Sequence, residues 1–328
     1  MNTLQASLWL LAAACASGSI AAEPTLKSQV AAADGWVGYR VAAVAGAGQS
    51  CCYTIARGGA RTAGCRLDGG TAHGSTIVTA APSSADAALA VYLHVKDGVV
   101  DTVRAWSASC PIEDAAAVRW IDPVVPAESV ALLAQATDGD GKAGEQALVA
   151  IAQHADASAT AALERNAEPG RPRERREQAL FWLGQMRGAA GLAAILRHAR
   201  SDPDADLREH AVFAASQSSA EGAYAAVRTI AREDAADAVR SRALFWMAQM
   251  DAPAAADDIL AALSREASES VREQAVFALS QLDDGRGEEA LIAVLRGDQP
   301  REVKQRALFW LGQSGSPRAL AFFDDVLR

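Results

Sequence analysis

The chain has 328 residues, half of them hydrophobic but only 5% aromatic, with 31 Lys+Arg against 40 Asp+Glu for a formal net charge of -9. It is too polar for a multispanning membrane protein, and an acidic chain without an extended basic block has no electrostatic footprint for nucleic acid or an anionic lipid surface. Much of its apolar content is alanine, a small residue of high helix propensity, so closely packed helices are the simplest use of the composition.

Residues 1–22 carry no charged side chain, run apolar from Leu8 to Ala14 and end in small residues before Glu23-Pro24. This reads as a secretory signal cleaved after Ala21 or Ala22, and it predicts a periplasmic or secreted protein. The apolar run is too short for an ordinary membrane-crossing helix, and no transmembrane span is expected. A lipoprotein signal with Cys15 as the acylated residue is the alternative, although Ala12, three positions earlier, fits it less well.

Without Cys15 the chain keeps Cys51, Cys52, Cys65 and Cys110. Four cysteines in one exported region imply two disulfides. A bridge between neighbours would be strained, which leaves 51 to 65 with 52 to 110, or 51 to 110 with 52 to 65. A four-cysteine metal site would need ligands at adjacent positions, whereas zinc sites space them by about two to four residues, so no metal is assigned.

From Gly35 to about Val125 the texture is that of strands and turns. Trp36 to Val41 reads as one strand. Ala88 to Val95, the turn Lys96-Asp97-Gly98 and Val99 to Ala105 read as a hairpin, and Gly58-Gly59 and Gly69-Gly70 punctuate the cysteine-bearing loops. Trp36, Trp106 and Trp120 are expected in the core of this unit. A β-rich, disulfide-containing domain is therefore placed at residues 23–125.

Residues 126–328 are dominated by a repeat. Ala147, Ala179, Ala211, Ala243, Ala275 and Ala307 are each 32 residues apart, and six positions after each comes Gln153, Gln185, Gln217, Gln249, Gln281 and Gln313. Leu163, Ile195, Val227, Ile259, Leu291 and Phe323 form a third column. Such self-similarity marks a stacked architecture whose unit cannot bury its apolar face alone. Each unit holds two runs at helical spacing, such as Val271 to Gln281 and Ala290 to Leu295. The fold class is thus mixed, a small β-rich N-terminal domain followed by an all-α solenoid of helical hairpins, with a capping helix expected from about Pro317.

The pairs Leu207-Arg208, Val239-Arg240, Val271-Arg272 and Val303-Lys304, the Ala four residues after each Val or Leu, and Leu183-Gly184 and Leu311-Gly312 carry a family pattern. In these residues the chain resembles the HEAT-repeat family, specifically the short HEAT-like repeats related to phycobilisome lyases. The resemblance implies a right-handed superhelix and a concave face suited to a protein or an extended peptide. It implies no activity.

Arg176, Arg208, Arg240, Arg272 and Lys304 form a basic column. An anionic partner could use it, but from residue 140 onward 23 basic residues face 29 acidic ones. The column is therefore read as structural, with Asp237 and Glu269 as expected partners three residues before their arginines, and nucleic acid is not expected as a partner. Phe181, Phe213, Phe245, Phe277 and Phe309 form another column, flanked in alternate units by Trp182, Trp246 and Trp310, with Ala214 and Ala278 between them. Glu177-Phe181-Gln185 and its counterparts run at i, i+4, i+8 along one helical stripe. The resemblance places that stripe toward the concave face, so Phe181, Trp182, Gln185, Phe213, Gln217, Phe245, Trp246, Gln249, Phe277, Gln281, Phe309, Trp310 and Gln313 are the candidate partner-binding residues. The competing reading has the rings covering helix seams and each Gln bonding to backbone or to the next Gln.

No G-x-S-x-G elbow, P-loop or H-E-x-x-H is present, and His73, His94, His154, His198 and His210 recur at no ligand spacing. Asp138 to Lys142 hints at a calcium loop but lacks its third acidic position and the Glu at position twelve, and reads as a solvated turn. Catalytic residues, metal and cofactor are accordingly assigned as none. A protein- or peptide-binding scaffold or adaptor of the bacterial cell envelope is the expected function. An enzyme or enzyme-associated subunit, lyase- or hydrolase-like and acting in the N-terminal domain, is the alternative, and oligomeric state is left open.

Overall fold

The structure, a computed structural model, describes residues 24–45, 47, 51–55, 61–68, 88–113, 115–139, 141–283 and 285–327. The expected leader at 1–22 with Cys15, the pairs Gly58-Gly59 and Gly69-Gly70, His73 and Asp140 lie outside the described residues. A short helix that the sequence reading did not assign, α1 (Leu26–Ala31), opens with Thr25 capping the Ser28 N–H. The strands that follow are β1 (Gly35–Ala42), β2 (Tyr53–Ile55), β3 (Arg61–Ala63), β4 (Ala88–Lys96), β5 (Val99–Ser107) and β6 (Arg119–Trp120).

Four strands form one sheet in the order β5-β4-β1-β6, antiparallel except for the parallel β1–β6 pair, while β2 and β3 pair separately. Asp97 and Gly98, both at positive φ, make the expected tight turn between β4 and β5. The period of two sorts the side chains. Val37, Tyr39, Val41, Leu89, Val91, Leu93 and Val95 belong to the main core, whereas Trp36, Ala90 and Tyr92 meet Leu67 and Val118 in a second, smaller one. Covered on both faces, β4 is apolar nearly throughout, which is why it reads as a continuous hydrophobic run. Trp36 is buried as expected, Trp106 is half-buried, and Trp120 departs from expectation. It sits on the edge strand β6 and is exposed, with the Arg40 guanidinium 4.2 Å above its ring.

The helices are α2 (Pro126–Ala136), α3 (Lys142–Gln153), α4 (Ser158–Ala167), α5 (Arg173–Met186), α6 (Gly188–Ser201), α7 (Ala205–Ser216), α8 (Ala223–Glu233), α9 (Asp237–Gln249), α10 (Ala255–Arg265), α11 (Glu269–Ser280), α12 (Arg286–Arg296), α13 (Arg301–Ser314) and α14 (Pro317–Leu327). From α3 onward they pair as six hairpins, one for each 32-residue unit. Ala147, Ala179, Ala211, Ala243, Ala275 and Ala307 are all fully buried at the crossings, where a methyl group lets neighbouring helices approach. Helix α14 is the second helix of the sixth unit and does not cap the stack. Leu180, Val212, Leu244 and Val276 are at most 1% exposed in earlier units, but the equivalent Leu308 is 47% exposed.

At the other end the sheet closes the stack. Strand β5 packs on α3, and α2 packs on α4, so sheet and α2 together occupy the place of a preceding hairpin. The Val44 N–H donates to Gln153 O and the Ala155 N–H to Ala42 O, both at 2.9 Å, and the Gln146 side chain accepts from Val103 N at 3.0 Å. Fully buried Leu148 and Ile151 of α3 share one continuous core with the sheet, each contributing about 1.5–3 kcal/mol. The bridges are Cys51–Cys110 and Cys52–Cys65, one of the two pairings left open by the sequence.

Candidate functional site

The helices carrying the Phe column are α5, α7, α9, α11 and α13. Successive members pack closely along their length, whereas the second helices of successive hairpins touch only sparsely. A stack built in this way closes toward its tighter layer, so the Phe-bearing helices form the inner one. Phe181, Phe213, Phe245 and Phe277 are half-buried there, and Phe309 is exposed.

Their rings touch in an unbroken sequence. Trp182 meets Phe181 edge-on at 5.0 Å, and Phe181 stacks on Phe213 at 6.2 Å. Phe213 meets Trp246 at 5.0 Å, Trp246 meets Phe245 at 5.1 Å, and Phe245 stacks on Phe277 at 6.2 Å. Phe277 meets Trp310 at 5.1 Å, and Trp310 meets Phe309 at 5.1 Å. Centroid separations of this size are those at which aromatic pairs attract. The 64-residue alternation now has a cause. A unit with Ala214 or Ala278 in place of Trp makes room for the Trp of the next unit, whose ring reaches back to Phe213 or Phe277. Trp182, Trp246 and Trp310 lie against the core, and the indole N–H groups of Trp246 and Trp310 are buried with no acceptor among the described residues, so these rings act by packing.

The Gln column ends the same helices. Gln185, Gln217, Gln249 and Gln313 are exposed and Gln281 is half-exposed. Gln217 and Gln281 donate to the preceding Ser216 and Ser280 hydroxyls at 3.2 Å, and no Gln–Gln ladder forms among the described residues. Gln153 differs. The sheet covers it, and its amide donates to Val149 O.

An open cleft of about 440 Å³ crosses α5, α7 and α9 beside Phe213 and Trp246. Its rim consists of charged side chains, of which Glu177 and Glu209 belong to the expected stripe while Arg173, Asp206 and Arg242 were not anticipated. Arg173 bonds Asp206 at 2.9 Å and Glu177 at 2.8 Å, and those two hydrogen bonds hold its pKa above the ordinary guanidinium range. Arg242 pairs with Glu209 at 3.3 Å, and in the equivalent place two units on Arg306 pairs with Glu273 at 2.7 Å. The His210 Nε2–H donates to Glu177 O at 2.8 Å, and burial pushes the ring below its ordinary pKa. Both Arg–Glu pairs span 33 residues, one more than the repeat period.

The arginine column is structural; the expected Asp237–Arg240 pair forms, and the acids that recur as partners lie elsewhere. Arg176 pairs with buried Asp202, Arg208 with Asp234 at 2.9 Å, and Arg240 with Glu266 at 2.9 Å, each acid lying 26 residues after its arginine. Those acids also accept from the backbone N–H two residues on and so hold the start of the next unit. Asp237 adds a second contact to Arg240, whereas Glu269 makes no ion pair with Arg272 among the described residues. Arg272 bonds Glu266 O and Ala267 O instead.

One serine–histidine contact stands out in the N-terminal seam, where Ser129 Oγ lies 2.8 Å from both Tyr39 Oη and His154 Nε2. The Ser129 hydroxyl donates to Tyr39 Oη, and His154 Nδ1 lies 2.7 Å from Ala150 O. All three side chains are fully buried, which suits a lock between sheet and solenoid and leaves a substrate no access. In the turn before α3, Asp138 pairs with Arg171 at 2.6 Å.

The family model of the PBS lyase HEAT-like repeat matches residues 239–265 and 271–297, the hairpins α9–α10 and α11–α12. The repeats are HEAT-like. No curated protein matches the chain by sequence. Among solved structures, human deoxyhypusine hydroxylase in complex with glycerol is 18% identical over 56% of this chain and 84% of its own, with a TM-score of 0.27. YibA of E. coli is 17% identical over 60% of this chain and 78% of its own, with a TM-score of 0.31. At such scores neither likeness bears on what this HEAT-like chain does. The HEAT-like units at 239–297 contain Phe245, Trp246 and Phe277, the middle of the ring sequence.

Proposed function

We propose that the protein is a non-catalytic scaffold or adaptor of the bacterial cell envelope that holds another protein or an extended peptide on the inner face of its HEAT-like solenoid. The observation that carries this reading is the continuous run of eight aromatic rings along the inner layer, bordered by exposed glutamine amides and a charged cleft. Aromatic anchors rimmed by polar groups suit protein recognition. The charges on the rim are paired with one another, which argues against a polyanion as the ligand. Two disulfides support an oxidising compartment, in line with the leader read at residues 1–22. The burial of the Ser129–His154 contact favours binding over hydrolysis in the N-terminal region.

The test is affinity capture from a periplasmic extract with the wild-type chain and with Gln217→Arg/Gln249→Arg, substitutions at exposed positions that leave the ring run intact. A protein retained by the wild type and lost by the variant is the expected result. Equal retention by the two chains, or retention by neither, defeats the proposal.

A further inference from the structure

Away from the inner layer, α4 and α6 bring Glu164, Glu168 and His198 together. One ring nitrogen of His198 and one carboxylate oxygen of each glutamate all lie within 4.8 Å of one another. Glu164 lies in the last turn of α4, and Glu168, four residues on, is the residue that caps its C-terminal end. His198 is 6% exposed, its Nδ1 lies 3.8 Å from Asp202 Oδ2, and Asp202 is anchored by Arg176 and by the Asp204 N–H. Its other nitrogen, Nε2, is buried and has no hydrogen-bond partner among the described residues. One unit earlier, Asn166 occupies the equivalent position and leaves its Oδ1 in the same condition. An unpaired buried polar atom costs about 1–3 kcal/mol. The later members of this column are Ile230, Ala262 and Val294, so packing between repeats does not call for a polar residue there.

We propose that Glu164, Glu168 and His198 bind a divalent cation of the zinc class, with Nε2 of His198 as the nitrogen ligand and Asp202 as the residue that positions the ring. An imidazole with two carboxylates suits zinc and its first-row neighbours, whereas calcium and magnesium take oxygen ligands. An imidazole backed by a carboxylate is the arrangement that orients metal-ligating histidines. Arg197 binds Glu164 through Oε1 only, which leaves Oε2 for a cation. Glu168 is exposed and provides the route of entry. The four cysteines are tied in disulfides and do not compete for the metal.

Calorimetric titration of the untagged chain with zinc chloride tests the site, together with the visible absorption of Co²⁺ added in its place. Binding of one Zn²⁺ per chain is expected, weakened about tenfold or more in Glu168→Gln and further in Glu164→Gln/Glu168→Gln. A Co²⁺ spectrum that loses its nitrogen-ligand character in His198→Gln is also expected. Should His198→Gln fail to fold, Glu168→Gln, at an exposed position, decides alone. Absence of zinc binding, or binding undiminished in Glu168→Gln, overturns the proposal.

Discussion

Phe245 on α9 and Phe277 on α11 stack with their ring centroids 6.2 Å apart and their planes 7° from parallel. Phe277 also meets Trp310, so its ring is held from both sides. Replacing it with Leu keeps most of the apolar volume and removes both ring contacts, each worth about 0.5–1.5 kcal/mol. Phe277→Leu is expected to lower unfolding free energy by about 1–3 kcal/mol in a urea titration. Phe309→Leu, which loses contact with Trp310 alone, should cost less than half as much.

Two glycines at equivalent positions should respond in opposite directions. A Cβ at Gly184 would run into the carbonyl oxygen of Ala214, because α7 crosses there, whereas one at Gly312 meets nothing. Gly184→Ala is expected to destabilise the chain by about 2 kcal/mol or more through backbone displacement. Gly312→Ala should stabilise it by up to about 1 kcal/mol through helix propensity. Thermal unfolding of the two variants checks the pair.

Burial lowers the pKa of both His154 and His210. A group whose folded pKa lies below its unfolded value binds more protons when unfolded, so stability is complete above about pH 6.5 and declines as the pH falls below that value. Melting temperature should drop between pH 7 and pH 5, and His210→Gln should reduce the drop. The depressed carboxylates Asp234 and Glu266 act lower, where their unfolded forms take up protons near pH 4, and leave this window undisturbed.

The Cys51–Cys110 bridge spans 59 residues and the Cys52–Cys65 bridge spans 13. Loop entropy predicts that removing the first costs about 4 kcal/mol and the second about 3 kcal/mol. Cys51→Ser/Cys110→Ser should therefore melt lower than Cys52→Ser/Cys65→Ser. Both should keep the helical circular dichroism of the solenoid, since its core contains no cysteine.

The solenoid was readable because a fixed period leaves one buried methyl, such as Ala243, at every crossing. The pairing of Phe and Trp in alternate units was visible as well, since Ala214 and Ala278 mark where room is made. Contacts that cross units with an offset were not. Side chains on a helix lean toward its N-terminus, so Arg242 meets Glu209 at 33 residues and the columns of 32 miss the pair. The acids that hold the arginines lie 26 residues after them, across a helix and a turn, where no local spacing marks the pair. Nothing local in Ala42 to Val44 announces that this backbone bonds to the end of α3, because the contact joins segments about a hundred residues apart.

That junction gives the stack a polarity in time as well as in space. Amides of α3 sit between a hydrogen-bonded sheet and the hairpins beyond, while among the described residues α13 and α14 pack on α11, α12 and each other. Opening should therefore begin at α14 and travel inward. Deuterium uptake would be fastest in residues 301–327 and slowest in residues 142–153, a gradient of protection along the molecule.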